Sequence, residues 1–294
     1  MKILEINKLN KSYGRICAIN NLDLVVEEGN IFGFLGPNGS GKTTTLSIIL
    51  GIIKSDSGEF FWFDKNADHH TYQQIGAMVE TPNFFPYLSC KQNLKIVTAI
   101  KRIPENDIER VLKIVKLFDR KDSKYKQLSY GMKQRLAIAS ALLGDPRVLV
   151  FDEPTNGLDP EGIAEVREII ISEAKKKKTV ILASHILDEV EKVCSHVGIL
   201  KKGKLISCGV VKEMLVSDDE IIISSVNLNG LADLLKDSKM IKTMEVRQDD
   251  IVLILNKDFA PVDINKFASK NGFDLTKIEI KKKTLEDQFL EIVK

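Results

Sequence analysis

The chain has 294 residues, 43 of them basic and 41 acidic, for a net charge of +2, and 44% of it is hydrophobic. That near-balance of charge gives no ground for a nucleic-acid coat. No apolar stretch approaches the roughly 18–20 residues of a membrane-spanning helix, and Met1 to Asn10 is too polar for a secretory signal. The expectation is a cytoplasmic protein that meets a membrane only through a partner. Cys17, Cys90, Cys194 and Cys208 form no C-x-x-C, so four reduced thiols are expected. His69 and His70 are adjacent and share no face, which argues against a metal site there.

In chain order, residues 2–26 alternate apolar and polar and predict short strands, with turns at Tyr13-Gly14 and Asn20-Asn21. Ile31 to Leu35 is a continuous apolar run, as in a strand buried on both faces. A glycine-rich turn and a helix from Lys42 to Leu50 follow, then a polar connection and a strand from Ile75 to Val79. Residues 89–143 predict helix, with Leu94, Val97 and Ile100 at helical spacing, then Ile108, Val111, Leu112, Val115 and Leu117. Strands are predicted at Val148–Phe151, Thr179–Ala183 and Val197–Leu200, with a helix from about Glu161 to Lys175. Strand alternating with helix predicts an α/β fold with a mostly parallel sheet. The run Lys175–Lys178 reads as a solvated helix end rather than a lipid or nucleic-acid contact.

Beyond a polar link at Leu215–Asp219, the pattern reads βαββαβ: strands Glu220–Val226, Ile241–Val246, Ile251–Leu255 and Leu275–Ile280, with helices Leu228–Leu235 and Val262–Asn271. A last amphipathic helix is expected from Thr284 to Val293. This order suggests a small ferredoxin-like α+β unit. The expected domains are 1–214, with a helical subdomain at about 83–145, and 215–294.

Gly36-Pro37-Asn38-Gly39-Ser40-Gly41-Lys42-Thr43 fits G-x-x-x-x-G-K-[ST], after a buried strand and before a helix. Glycines let consecutive backbone N–H groups turn toward phosphate oxygens, and the helix N-terminus adds partial positive charge. Lys42 is placed for the β- and γ-phosphates of a nucleoside triphosphate, and Thr43 for Mg²⁺, with Thr44 also counted among the nucleotide-binding residues. Val148 to Phe151 runs into Asp152-Glu153. Either a buried strand delivers Asp152 to hold Mg²⁺ through water and Glu153 to activate the attacking water, or a core strand ends in an exposed acidic turn.

Leu128-Ser129-Tyr130-Gly131-Met132-Lys133-Gln134-Arg135 resembles the ABC signature, L-S-G-G-Q. Pro154-Thr155-Asn156-Gly157-Leu158-Asp159-Pro160 resembles the ABC D-loop. Ser184-His185 matches the family's switch histidine, and Tyr13 its adenine-stacking aromatic. All stand in the family's order, over residues 1 to about 214. The resemblance implies an ABC-type fold: a mixed-sheet core, an antiparallel β subdomain and a helical subdomain. It also implies an ATPase that works as a head-to-tail dimer, with itself or a similar ATPase. Each ATP would lie between one phosphate loop and the other subunit's Ser129 and Gly131. His185 would contact the γ-phosphate, and Asp159 would link the two sites. Separate integral-membrane permease subunits would place the chain peripherally on the inner face of the membrane.

Two positions depart from the pattern. Tyr130 and Met132 replace Gly and Gln in the signature, while Ser129 and Gly131 are retained. Glu80, in Ile75 to Pro82, stands where most ABC ATPases have Gln. The Glu80-Thr81-Pro82 variant and the ending Thr284 to Leu290 resemble the ATPases of bacitracin exporters and lantibiotic-immunity transporters. Glu80 is either a Mg²⁺ ligand that couples hydrolysis to a membrane partner or a solvated carboxylate. Phe84, Phe85, Pro86 and Tyr87 either form a docking groove for a permease helix or pack under their loop. The leading expectation is the energising subunit of an exporter, with a peptide antibiotic as the expected cargo. The alternative is a soluble ATPase that remodels a ribosome or DNA. Against it stand a single cassette and a step of only 86 positions from Lys42 to Leu128, too short for a long coiled-coil insertion. Glu153 and His185 together disfavour a nucleotide sensor without turnover.

Overall fold

The computed structural model describes residues 1–80, 83–214, 220–236, 238–256 and 258–281. Its chain divides into two compact units, Met1–Val211 and Lys212–Lys294.

The first unit opens with β1 (Lys2–Tyr13), β2 (Ile16–Glu27), β3 (Ile31–Leu35), α1 (Lys42–Ile49), β4 (Ser57–Trp62), α2 (His69–Gln73) and β5 (Ile75–Met78). β1 and β2 form a long antiparallel hairpin, and β4 pairs with the other edge of β1. The turn expected at Asn20-Asn21 is instead a bulge inside β2. Asn21 takes φ 49, its N–H donates to Asn10 Oδ1 at 2.8 Å, and the register slips between the Leu9 and Lys11 rows. Asparagine tolerates the left-handed region, so a bulge absorbs the extra residue without ending the strand. The expected polar connection after α1 holds β4. Trp62 is fully buried there, and its indole N–H donates to Ile49 O at 2.7 Å.

Helices α3 (Cys90–Lys101), α4 (Asp107–Ile114) and α5 (Tyr130–Leu142) follow, with short 3-10 turns at Phe118–Arg120 and Tyr125–Gln127. Ser89 starts α3 with a reciprocal cap: its side chain accepts from Gln92 N–H, while Gln92 Oε1 accepts from Ser89 N–H. Leu94, Val111, Leu112, Val115 and Leu117 are buried, as their spacing predicts. Ile100 departs from it, at 76% exposed. Gly76 of β5 lies against α5, where a Cβ would come 2.0 Å from Ala141 O, so only glycine allows this approach of strand and helix.

The remaining elements of the unit are β6 (Val148–Asp152), α6 (Pro160–Lys175), β7 (Thr179–Ser184), α7 (Leu187–Val193), β8 (His196–Lys201) and β9 (Lys204–Val210), with the short α8 (Val211–Met214) at the division. The main sheet has the order β5-β6-β7-β3-β8-β9. It is parallel from β5 to β8 and closes with antiparallel β9, an edge strand that the sequence reading left out. β6 and β7 are buried along their whole length, which explains their unbroken apolar runs. Lys178 corrects the expectation of a solvated helix end. It is buried, with its ammonium 2.7 Å from Glu173 Oε2 and 2.6 Å from Asp145 Oδ1. Glu173 is fully buried, so a cation next to it offsets its desolvation.

The second unit runs β10 (Glu220–Ser225), α9 (Leu228–Lys236), β11 (Ile241–Val246), β12 (Ile251–Leu255), α10 (Pro261–Lys270) and β13 (Leu275–Lys281). Among the described residues its strands form a four-stranded antiparallel sheet in the order β11-β12-β10-β13. Ile221, Ile223, Ile251 and Leu253 form a core with Leu231, Leu235 and Ile264 of the two helices. The link at Leu215–Asp219, Thr81-Pro82, the expected helix at Thr284–Val293 and the ending Thr284–Leu290 lie outside the described residues.

Candidate functional site

The loop between β3 and α1 carries Gly36 to Gly41. Gly41 caps α1 at φ 105 and ψ 4, and a Cβ there would come 2.4 Å from Ala18 O of β2. Both the backbone conformation and the contact require glycine. No side chain caps α1 and its first turn holds no acidic residue, so the first N–H groups keep their capacity for an anion. Pro37, Asn38 and Gly39 are exposed on the loop, Ser40 and Lys42 are buried, and Thr43 and Thr44 are half-buried. The Ala18 contact sets the loop against β2. Its hairpin partner β1 ends in Tyr13, which is 49% exposed and opposite Ile16.

Lys42 Nζ donates to Gly36 O at 2.7 Å and lies 3.6 Å from Glu153 Oε1. β6, pairing with β5 and β7, delivers Asp152 and Glu153 to the same place. Glu153 adopts φ 48, unusual for a non-glycine residue, and its N–H donates to Ala183 O at 2.9 Å. Its Oε2 lies 2.9 Å from His185 Nδ1. A carboxylate only accepts, so Nδ1 carries the hydrogen of this bond. Glu153 is thus held between a lysine and a histidine, beside the phosphate loop. The acidic turn is a site feature.

Asp152 is 5% exposed. Burial pushes its carboxyl above the ordinary carboxylate value, and the nearby charges of Glu153 and Glu80 push the same way. A hydrogen bond from Thr43 and the charge of Lys42 oppose them. Its Oδ1 and the buried Ser40 Oγ have no hydrogen-bond partner. The orphaned Asp152 Oδ1, beside the Thr43 hydroxyl and with excess negative charge around it, gives a hard-oxygen donor set that fits Mg²⁺. Glu80, at φ 60 and exposed, lies close enough to perturb Asp152.

Ser129 and Gly131 lie elsewhere. Ser129 caps α5, its Oγ accepting from Met132 N–H at 3.2 Å. Asp159 caps α6 in the same way, accepting from Gly162 N–H at 2.9 Å. Both caps line an open cavity of about 430 Å³ with Tyr130, Gly131, Gly157 and Leu158. No phosphate-loop residue lines it. The chain therefore presents two separate half-sites.

The sequence reading assigned no role to three contacts that brace these half-sites. Buried Gln134 of α5 donates to Pro154 O at 3.1 Å, tying the signature helix to the turn after Glu153. Arg167 of α6 grips Glu189 of α7 through two bonds of 2.7 and 3.1 Å. Tyr130 packs on Gly157. Gln134 stood within the quoted signature run, while the other contacts join residues too far apart in sequence to be paired by spacing.

A covered α/β sheet, a glycine-rich phosphate cradle and a strand-end carboxylate pair define a P-loop nucleoside triphosphatase. The ABC transporter family model matches residues 19–156. The bacitracin transport ATP-binding protein BcrA of Bacillus licheniformis is 37% identical over 99% of this chain and 97% of its own length. The lantibiotic transport ATP-binding protein SrtF of Streptococcus pyogenes is 39% identical over 69% of this chain and 89% of its own. Among solved structures, CbiO1 of Clostridium perfringens, part of the ABC transporter complex CbiONQ, superposes with a TM-score of 0.66 at 30% identity, covering 74% of this chain and 91% of CbiO1. A dimeric post-hydrolysis state of the ATP-binding cassette MJ0796, bound to ADP and Pi, gives a TM-score of 0.64 at 26% identity, covering 71% and 99%. The chain belongs to the ATP-binding proteins of the ABC transporter family. It is an ATPase whose hydrolysis is coupled to transport.

Proposed function

We propose that this chain energises a membrane exporter built with separate permease subunits, and that its cargo belongs to the peptide-antibiotic class. The observation that carries this reading is the likeness to the bacitracin transport protein, which runs through 99% of the chain and so includes the second unit. Two copies associate head to tail, so that the phosphate loop of one and the Ser129–Gly131 cavity of the other enclose each ATP. The two separate half-sites support this arrangement, as does the dimeric cassette among the similar structures.

Within each site, the backbone from Gly36 to Gly41, with Lys42, binds and orients the phosphates, and Tyr13 stacks on the base. Thr43 and Asp152, with Glu80, would hold Mg²⁺, whose chemistry is to neutralise charge between the β- and γ-phosphates. Glu153 takes a proton from the attacking water. His185 holds Glu153 through Nδ1–H and, carrying a second hydrogen on Nε2, donates to the γ-phosphate. Ser129 and Gly131 complete the cradle from the other copy, and Asp159 joins the two sites across the pair.

The permease meets the chain at an open cavity of about 380 Å³ lined by Met78, Phe84, Phe85, Val97 and Ile100. Phe85 is 59% exposed and Ile100 76%, which suits an apolar helix face. Glu80 lies in the chain between Met78 and Phe84 of this cavity and couples it to the metal. Glu80→Gln should therefore uncouple hydrolysis from transport; unchanged ATPase rate and unchanged transport in cells would sink that role.

The test of the whole reading is capture. Tagged Glu153→Gln protein, held in its ATP-bound pair, is pulled from detergent-solubilised native membranes and its companions identified by mass spectrometry. A polytopic membrane protein is expected. Ribosomal proteins, DNA or no membrane companion would overturn the reading.

A further inference from the structure

The helical segment carries a charge that the chain as a whole does not. From Lys113 to Lys133 there are seven basic residues against two acidic ones, Asp119 and Asp122, in a chain that nets only +2. A second segment, which carries Tyr87, lies beside this charge. Tyr125 N–H donates to Leu88 O at 2.9 Å, Lys126 N–H to Pro86 O at 3.0 Å, and Lys91 N–H to Lys121 O at 2.9 Å. The chain before α3 thus runs beside the chain before α5.

Aromatic rings stand among the lysines. Tyr87 is 73% exposed, with Lys126 Nζ 5.1 Å from its ring centre. Lys121 and Lys113 lie 4.5 and 5.0 Å from the ring centre of Phe118. The ion pairs of this region are made by Lys95, Arg110, Lys116 and Arg135. Among the described residues, Arg120, Lys121, Lys124 and Lys126 have no carboxylate partner, and Arg120, Lys124 and Lys126 are exposed.

We propose that this aromatic and basic face binds directly to an anionic phospholipid surface, clamping the cassette against the bilayer beside its permease. Lysines without carboxylate partners, beside the exposed Tyr87 and the half-buried Phe118, match the interface of a membrane, where rings sit at headgroup level and ammonium groups meet lipid phosphates. The basic groups are spread along one segment, with four of them between Arg120 and Lys126. A diffuse anionic layer satisfies such an array better than one acidic peptide, which needs fixed partners. The inference rests on the reading that permease chains hold the protein beneath a bilayer, but it can be tested without them.

Full-length protein is sedimented with vesicles of phosphatidylcholine alone or mixed with phosphatidylglycerol, at low and raised salt. Partition is expected only with the anionic vesicles and is expected to weaken as salt rises. The triple variant Lys121→Gln, Lys124→Gln, Lys126→Gln should partition on the order of 100-fold more weakly, while the triple Lys→Arg variant binds like the parent. ATP hydrolysis in solution should be the same in all three, which reports an intact fold. Equal binding to neutral and anionic vesicles, or full binding by the glutamine variant, overturns the proposal. Either outcome leaves permease capture by Glu153→Gln unaffected, so the two readings fail separately.

Discussion

The ring of Tyr130 lies against Gly157: a Cβ on Gly157, at φ 74, would come 3.1 Å from Tyr130 Cε1. The residue that departs from the glycine of the family signature therefore rests on the turn before Asp159. This contact links the Ser129–Gly131 cradle to the D-loop within one copy. Gly157→Ala should cost about 1–2 kcal/mol from the left-handed backbone alone, and more from the crowded ring. Gly157→Ala with Tyr130→Gly should recover the crowding and not the backbone cost. Denaturant unfolding of the single and double variants separates the two contributions.

Glu153 sits 2.9 Å from His185 Nδ1 and 3.6 Å from Lys42 Nζ. Loss of the base in Glu153→Gln should lower kcat by about 10²–10⁴-fold. ATP affinity should hold or rise, because the amide removes negative charge beside the phosphates. Single-turnover hydrolysis and equilibrium nucleotide binding measure the two effects. A fall in affinity that parallels the fall in rate would assign Glu153 to binding instead.

Arg167 and Glu189 form a two-bond ion pair between α6, which Asp159 caps, and α7, which follows His185. The Glu189 side chain is only 11% exposed. Removing Arg167 strands a mostly buried carboxylate, and Arg167→Ala should cost about 3–5 kcal/mol. Glu189→Gln keeps one acceptor and should cost less. If the pair also positions His185, Glu189→Gln lowers kcat while KM for ATP stays as in the parent. A purely structural pair would leave kcat alone.

Lys178 bonds Glu173, which is fully buried, and Asp145. Burial would raise Glu173, but the bonds from Lys176 and Lys178 outweigh it and hold its carboxyl below the usual 4.5. Lys178 likewise holds Asp145 below 3.8. These depressed values contribute stability that is present at neutral pH and is lost as pH falls through the folded-state values, below about 4. Lys178→Met leaves Glu173 with less compensation, which raises its value, so the variant regains stability as Glu173 protonates. The gap between parent and variant should be about 3 kcal/mol at pH 7 and should shrink as pH approaches 4. A gap that widens on acidification would show that the pair is not the source.

The phosphate loop, the strand-end carboxylates and the signature run were legible because each is a contiguous segment. Phosphate binding needs consecutive N–H groups, so the glycines must be neighbours in sequence as well as in space. Buried parallel strands need unbroken apolar runs, so β3, β6 and β7 announced themselves. β4 and β9 did not. Each is part of an antiparallel pairing with one side open, so its mixed residues read as loop. Asn20-Asn21 misled for a related reason, since turns and bulges use the same left-handed asparagine.

What the sequence determined by itself is therefore local chemistry: where phosphate can be cradled, where a carboxylate pair ends a strand and which segments are helix. What only the tertiary structure decided is pairing at a distance. It buried Lys178 against Asp145, 33 residues away. It joined Gln134 to Pro154 and Arg167 to Glu189, and set the Ser129 cavity apart from Lys42. The physical reason is that a desolvated charge or amide is satisfied by whatever partner the packed helices and sheet bring within about 3 Å, and no spacing in the sequence encodes that distance.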